Sequence, residues 1–502
     1  MTWNEGYVTQ IPYTFGFYHH LSPANLKLAL LLKRVRLVPL NKPFTYCELA
    51  CGYGITTTIL AAAYPHAQFY ATDFNPTHIA TARHLAESAG LTNVSFSDKS
   101  FKEYLHENLP EFDFICLHGI YSWVSEENRQ AIVDFIHKKL KIGGVVYVSY
   151  NAMPGWGAIA PLQRLLLHYN FINRHIAIEQ RIEGALQFLE TLKTTKAAYL
   201  QNPVPAQRIN NLKNHNRSYL VHEYFNEHWT ALYFDQVQKD MERAKLNYLG
   251  SAHLMDHMDN LNLTNEAIQE LAKIQDPVYR ELVRDIYTNT FFRRDVYVRG
   301  TDVMSPMEQV EQFRNMKFVL TTSVDQIKLE HQTALGKLQL QESVYKPLGE
   351  CLQQTGPISI TQLEAKLSSQ GLNLQRLVQA LIVMTSMGYA HPVVEGLDSA
   401  PADRLNKTIM QRSLQGWDMV FLCSPVLGNG VNVSRLEQLL LYAETFPHQG
   451  LEFVWHILKE NGMKFTKDGK VLETPEENWQ FLQESAQSFR ESRRSVLKKL
   501  GI

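Results

Sequence analysis

Between residues 44 and 150 short apolar runs alternate with longer amphipathic ones, and few folds accommodate that order. Phe44 to Glu48, "AQFYATD", "NVSFSD", "FDFICLHG" and "VVYVSY" read as strands. "PTHIATARHLAESAG" reads as a helix closed by a glycine, and "SEENRQAIVDFIHKKLKIGG" as a helix ended by Gly143 and Gly144. An earlier helix is expected from about Ala24 to Arg36, with Ser22 as its cap and Pro23 in its first turn. Near-continuous apolar strands separated by helices require a parallel sheet covered on both faces. The expected fold is α/β, with a Rossmann-like doubly wound sheet.

At 502 residues the chain exceeds one ordinary core. After Pro154 the pattern changes. Residues 158 to 200 and 220 to 290 read as helical, and "QNPVPAQR" (Gln201 to Arg208) reads as a break between them. "FRRDVYVRG" and "KFVLTTS" have β-like patches, while 341 to 395 follows the helix, strand, helix, helix, strand order of a winged helix. "GLDSAPADRLN" reads as a second linker before a helical tail. The expected divisions are 1–157 (N-terminal lid and ligand-binding sheet), 158–330 (helical insertion), 331–400 (winged-helix-like) and 401–502 (helical).

Basic and acidic residues number 49 and 50, so no global field favours nucleic acid or an anionic membrane. The start lacks a signal-peptide pattern, and "LKLALLL" falls far short of the roughly 20 residues of a membrane span. Five cysteines without a CxxC spacing suggest a reduced, cytoplasmic protein. His253, Asp256 and His257 stand at i, i+3 and i+4, yet with no further ligand they read as surface, as do His19 and His20, and no metal is expected.

Ligands of such sheets bind outside the carboxyl ends of the strands, where strand order reverses. In "ELACGYG" the first strand stops at Glu48, and Gly52 and Gly54 let the backbone approach a ligand before a helix starts near Ile55. A dinucleotide would want a third glycine where Thr57 stands, and Glu48 would repel its pyrophosphate. S-adenosylmethionine carries an ammonium and a sulfonium, which a carboxylate attracts. NAD is the poorer alternative. Asp73 ends the second strand, placed for the ribose hydroxyls, and Asp98 follows the third, placed for the adenine amino group with Phe101 beside the ring. "LHGIYSW" ends the fourth, where methyl group and acceptor should meet.

"ELACGYG", "YATDFNP", "FDFICLHGIYSWV" and "SYNAMPGW" together resemble class I methyltransferases carrying a methyltransferase regulatory domain, the rickettsial outer-membrane-protein lysine methyltransferases among them. "HEYFNEHWTALYF" (222–234) and "NTFFRRDVYVRG" (289–300) look like the two ends of that regulatory domain, and "GYVTQIPYTFGF" like the family's aromatic N-terminal segment, with Val8 where Asp is frequent. Ala50 stands where the family commonly has glycine. The resemblance implies S-adenosylmethionine as cofactor, held by Glu48, Ala50, Gly52, Gly54, Asp73, Phe74, Asp98, Lys99, Phe101 and His118. It also implies a protein acceptor, lysine first, and admits a homodimer.

Methyl transfer from a sulfonium is an in-line displacement that needs aiming and exclusion of water rather than a triad. A lysine acceptor, with a reference pKa of about 10.4, must first lose a proton. His118 is the candidate proton acceptor, and Tyr13, Tyr121 and Trp123 are candidates for an aromatic channel, with Asn151 after the fifth strand. His222 and Glu223 read as helix-start or interdomain contacts. Two alternatives stand beside this reading. One is the same chemistry on a small molecule, glycan or carrier-tethered intermediate, which would favour an enclosed cavity over an open groove. The other is a non-catalytic scaffold.

Overall fold

The computed structural model describes residues 6–9, 11, 15–212, 216–333, 335–444, 450–467 and 469–502. Seven strands form one sheet, β1 (Thr45–Leu49), β2 (Gln68–Thr72), β3 (Val94–Ser97), β4 (Phe112–Leu117), β5 (Leu140–Asn151), β6 (Asn247–Ser251) and β7 (Phe292–Val298). Their spatial order is β3-β2-β1-β4-β5-β7-β6. β1 to β5 run parallel, and β7 is antiparallel to both β5 and β6. The chain moves outward from β1 to β3 and returns to the other side of β1 as β4. The reversal therefore falls between β1 and β4, as the turn after β1 requires.

α1 (Pro23–Leu32) starts as expected, with the Ser22 hydroxyl accepting from Asn25 N–H at 3.2 Å, but stops short of Arg36 because Arg34 reverses the chain at φ 58°. α2 (Ile55–Ala63), α3 (Pro76–Ser88), α4 (Phe101–Leu105) and α5 (Glu126–Lys139) connect the parallel strands. α5 ends before its expected glycines. Leu140 already pairs with Phe112, and Gly143 and Gly144 lie inside β5 at a bulge, where Gly143 adopts φ 79° and donates to Arg299 O at 2.7 Å.

The sheet continues past the expected border at 157. Its last two strands lie beyond that border: 247–251 comes from within the stretch read as helical, and 292–298 from the β-like patch "FRRDVYVRG". Between β5 and β6 stand α6 (Ala160–Ile172), α7 (Ile178–Thr194), α8 (Pro203–Leu212), α9 (Arg217–Tyr224) and α10 (Phe234–Arg243). "QNPVPAQR" is not a linker: Pro203 and Pro205 sit in the first turn of α8, where a missing N–H costs nothing.

Strand Lys317–Leu320 pairs antiparallel with Ile358–Ser359 and Ala390–Pro392, beside helices Glu342–Thr355, Ile360–Leu367 and Leu374–Ser386. The second expected linker also turns helical, as Ala400–Leu414. The C-terminal region holds a hairpin, Phe421–Ser424 with Asn429–Asn432, that packs on α2. α2 is buried on every side, which its uncharged sequence "ITTTILAAA" permits. Among the described residues no helix is long and apolar enough to cross a membrane.

Candidate active site

The turn after β1 is built by left-handed backbone at Ala50 (φ 55°), Gly52 (φ 54°) and Gly54 (φ 64°). Ala50 takes a conformation costing an L-residue about 1–2 kcal/mol, which explains why glycine suits the position. A Cβ on Gly52 would meet nothing within 4 Å, so that glycine faces open space above the turn. Gly54 caps α2, and a Cβ there would come within 2.5 Å of the Phe96 ring and 2.9 Å of Ala82. Its role is to let α2 settle against β3 and α3.

Two adjoining narrow cavities share Tyr7, Ala50, Asp73, Phe74 and Ile120. The first is lined further by Glu48, Gly52, Tyr18, Tyr53, His78 and His118. The second is lined by Lys99, Ser100, Phe101, Trp123, Val124 and Asn128. Among the described residues the first cavity thus presents two carboxylates and no lysine or arginine, while Lys99 stands in the second.

Glu48 is 4% exposed and accepts a short hydrogen bond from the Thr57 hydroxyl. Burial pushes its carboxyl up to about 8, Thr57 opposing and Asp73 reinforcing the shift. Asp73 accepts from Gly52 N–H at 2.9 Å and Asn75 N–H at 3.0 Å, and meets His78 Nδ1 at 3.2 Å. These contacts fix its direction and leave one of its roughly four acceptor positions open.

His118 lines the first cavity at the end of β4. Its Nδ1 faces the Tyr147 hydroxyl at 2.8 Å and Ser149 Oγ at 3.1 Å, and its ring packs on Tyr18 with centroids 4.1 Å apart. Burial, with Arg294 and His19 nearby, drives its pKa down to about 3. The ring is therefore neutral near pH 7, with its Nδ1 engaged by the two hydroxyls.

Three other expected residues fall elsewhere. Tyr121 is fully buried and donates to Asp240 at 2.7 Å on α10, away from both cavities, so it builds the core and not a channel. Asp98 is exposed and lines neither cavity, because β3 ends at Ser97 and the chain turns it outward. Trp123 lines the cavity of Lys99 and Phe101 rather than that of Glu48. Tyr13 lies outside the described residues. His222 and Glu223 occupy the last turn of α9, not its start. Sequence reading passed over Tyr7, Tyr18, Tyr53 and His78. Of these, Tyr53 sits in the turn already singled out, Tyr7 in the aromatic N-terminal segment, and His78 one turn into the helix that follows Asp73.

Described residues of the N-terminal segment meet the cavities. Tyr7 packs edge-on to Phe74 at 5.7 Å and stacks on His222 at 5.5 Å, while Val8 N–H donates to Asn226 at 2.9 Å. Farther on, Phe15 packs on Tyr53 at 4.6 Å and on Trp417 at 5.1 Å.

Residues 47–144 match the family model of a methyltransferase domain, and 216–299 that of a predicted methyltransferase regulatory domain. The Synechocystis protein sll1526 is 49% identical over 507 residues, spanning 100% of both chains. The chain belongs to the class I S-adenosylmethionine-dependent methyltransferases that carry a regulatory domain. O-methyltransferase 3 of Dictyostelium discoideum is 28% identical over 115 residues, 22% of this chain and 25% of its own. The structure of PKMT2 from Rickettsia typhi in complex with AdoHcy shares the fold, with TM-score 0.71 at 18% identity over 97% of this chain and 99% of that one.

S-adenosylmethionine is the methyltransferase's cofactor, and the cavities fit it. Asp73, and Glu48 once a cationic ligand displaces its proton, offer the negative field its cationic end needs, with open space above Gly52 to receive it. Asp73 has acceptor capacity for a ribose hydroxyl, and Phe101 with Trp123 offers apolar walls to a purine. The regulatory domain is continuous with this site. It supplies β6 and β7 of the sheet and the His222 ring on which the lid rests.

At the same edge of the sheet, beyond the first cavity, lies an open cleft of about 770 Å³. Its walls come from β6, β7, the helix Pro277–Thr288 and Phe291–Phe292, and they carry mixed charges including Lys33, Asp256, Arg280 and Arg284. Phe292 meets His118 edge-on at 5.8 Å, so one aromatic wall separates cleft and cofactor cavity. His257, expected on a helical face with His253 and Asp256, instead meets Ser251 O at 2.6 Å from a short turn. Among the described residues no three His, Cys, Asp or Glu side chains are grouped to hold a metal.

Proposed function

We propose that the enzyme methylates the side-chain amine of lysine in a protein acceptor. The observation that carries this reading is the open cleft beside β6 and β7, which adjoins the cofactor cavity through Phe292 and His118. A segment of folded protein needs an approach of that kind, whereas a small acceptor favours an enclosed cavity. The shared fold with PKMT2 and the resemblance to rickettsial lysine methyltransferases support it. Five free cysteines, three of them buried, support a cytoplasmic setting.

S-adenosylmethionine supplies the methyl group on an already activated sulfur. The chain's own work is to aim and to keep water out. Glu48 and Asp73 orient the cationic end, Tyr7 and Tyr18 close over it, and His118, held neutral, adds no positive charge to repel an incoming amine.

Radiolabelled methyl transfer into a cell lysate, followed by acid hydrolysis and amino-acid chromatography, tests the reading. The expected label is in N-methylated lysine. Label confined to small molecules, or on another side chain, overturns it, and small molecules alone would install the small-acceptor alternative.

A further inference from the structure

One carboxylate at this edge has no partner of opposite charge. Glu223 is 7% exposed, in the last turn of α9. Its Oε1 accepts from Asn151 Nδ2 at 3.2 Å and from Trp229 Nε1 at 3.4 Å. Among the described residues no hydrogen bond reaches Oε2 and no ion pair reaches the carboxylate. Arg208, the nearby cation, gives its Nε to the Tyr224 hydroxyl at 2.8 Å instead. A carboxylate taken out of water without a cation is costly. Two neutral donors on one oxygen hold its direction without cancelling its charge.

Its neighbours connect it to the cofactor cavities on one side and to the open cleft on the other. Asn151 is the last residue of β5, and its N–H donates at 2.8 Å to Ser122 Oγ, in the loop after β4 that lines the cofactor cavities. His222, the preceding residue, stacks on Tyr7 of the lid. Trp229, Trp156 and Phe291 gather beside Glu223, with Trp156 edge-on to Trp229 at 4.8 Å and 5.4 Å from Phe291. Phe291 also lines the open cleft. Ring faces and edges suit the methylenes of a lysine and attract its ammonium.

We propose that Glu223 binds the acceptor's ammonium group and takes its proton before methyl transfer. The inference rests on the lysine reading above. An N–H bond of the ammonium breaks, the proton forms an O–H bond at Oε2, and the electron pair stays on nitrogen. That pair forms the N–C bond to the methyl group as the S–C bond breaks with its electrons to sulfur. The product leaves as a methylated ammonium, and the proton on Glu223 passes to water. Burial lifts the Glu223 carboxyl up to about 7, opposed by Trp229, Arg208 and Asn151, which suits a base working near neutrality. Among the described residues the titratable or charged groups shown to act on it are Arg208 on α8 and Tyr219 and Tyr224 on its own helix. Gln at this position keeps the oxygen that accepts from Asn151 and Trp229 and removes only the charge.

Two measurements test the assignment. In the first, n-butylammonium and 1-butanol are titrated into the complex with S-adenosylhomocysteine and followed by tryptophan fluorescence. The wild type should prefer the ammonium at least about tenfold, and Glu223→Gln should show no preference. No preference in the wild type, or the same preference in the variant, overturns the inference. In the second, labelled-lysine yield from lysate should fall about a hundredfold or more in Glu223→Gln while calorimetric affinity for S-adenosylhomocysteine is kept. Undiminished lysine methylation by the variant overturns the inference and leaves the lysine reading standing. Label on a non-amine atom in the wild type overturns that reading, and this one with it. If the variant no longer binds S-adenosylhomocysteine, the wild-type preference for ammonium over alcohol decides.

Discussion

Glu48 and Glu223 are both carboxylates withdrawn from water at the carboxyl edge of one sheet, and among the described residues neither forms an ion pair. For Glu48 the cation comes with the cofactor, and the consequence is a pH dependence. Its reference value is 4.5 and its value in the fold about 8, so between those limits the folded state holds a proton that the unfolded chain has lost. Its contribution to stability therefore falls as pH rises from 4.5 to 8. A cationic ligand lowers the carboxyl's pKa again, so binding expels the proton. Affinity for S-adenosylmethionine should strengthen as pH rises toward 8, by up to about tenfold per unit, with close to one proton released per site. Calorimetry in two buffers of different ionisation enthalpy measures that release. Glu48→Gln should bind more weakly with a flat profile, and a wild type that releases no proton at pH 6 to 7 would contradict the electrostatic account.

At the level of elements, the last strands of the sheet depend on one buried cation. Arg293 of β7 pairs with Asp285 on the helix Pro277–Thr288 at 2.7 Å, with its strand neighbour Asp295 at 3.0 Å and with Glu281 at 3.1 Å, while donating to the Tyr248 hydroxyl of β6 at 2.8 Å. Asp295 in turn accepts from Tyr150 of β5 at 2.7 Å. Removing the cation strands three acids, two of them buried, so Arg293→Met should cost about 3–5 kcal/mol, read as a lower urea midpoint with little change in slope. None of this network was legible in advance. β6 reads "NYLGS", half-exposed along its length with no apolar run, and only its pairing with β7 makes it a strand. β1 to β5 were legible because a sheet covered on both faces imposes apolar runs, and the turn from Glu48 to Gly54 because its chemistry is local. Tyr7 and Tyr18 were not, since each meets the site from a segment distant in sequence. Glu223 was noticed, but its burial and the turning of Arg208 toward Tyr224 exist only in the fold. Prolines misled at α8 for a related reason: the same residue breaks a helix from inside and starts one from its first turn.

Over the whole molecule, the C-terminal region is part of the cofactor site's support rather than an appendage. Its hairpin lies so close on α2 that a Cβ on Gly428 would stand 2.2 Å from the Tyr64 hydroxyl and one on Gly430 2.9 Å from the Phe17 ring. Cys423 Sγ reaches Ile59 O at 3.4 Å, and Leu422, Leu427 and Val431 join one apolar cluster with Leu60 and Ala61. Cutting the chain after residue 399 would expose the outer face of a helix that has no charged residue with which to meet water. The truncated protein should aggregate and lose calorimetric binding of S-adenosylhomocysteine. Trp417 refines the argument, because it lines neither cofactor cavity yet holds Phe15, and Phe15 holds Tyr53, which does line one. A stacked aromatic pair contributes about 0.5–1.5 kcal/mol beyond its buried area, so Trp417→Ala should weaken S-adenosylhomocysteine binding about three- to tenfold in a protein that still folds. Pairing that variant with Phe15→Ala separates the routes. If Trp417 acts through the lid, the double variant binds no more weakly than Phe15→Ala alone. If the two losses add, Trp417 supports the site through the hairpin and α2 instead, and the N-terminal segment closes without help from the C-terminal region.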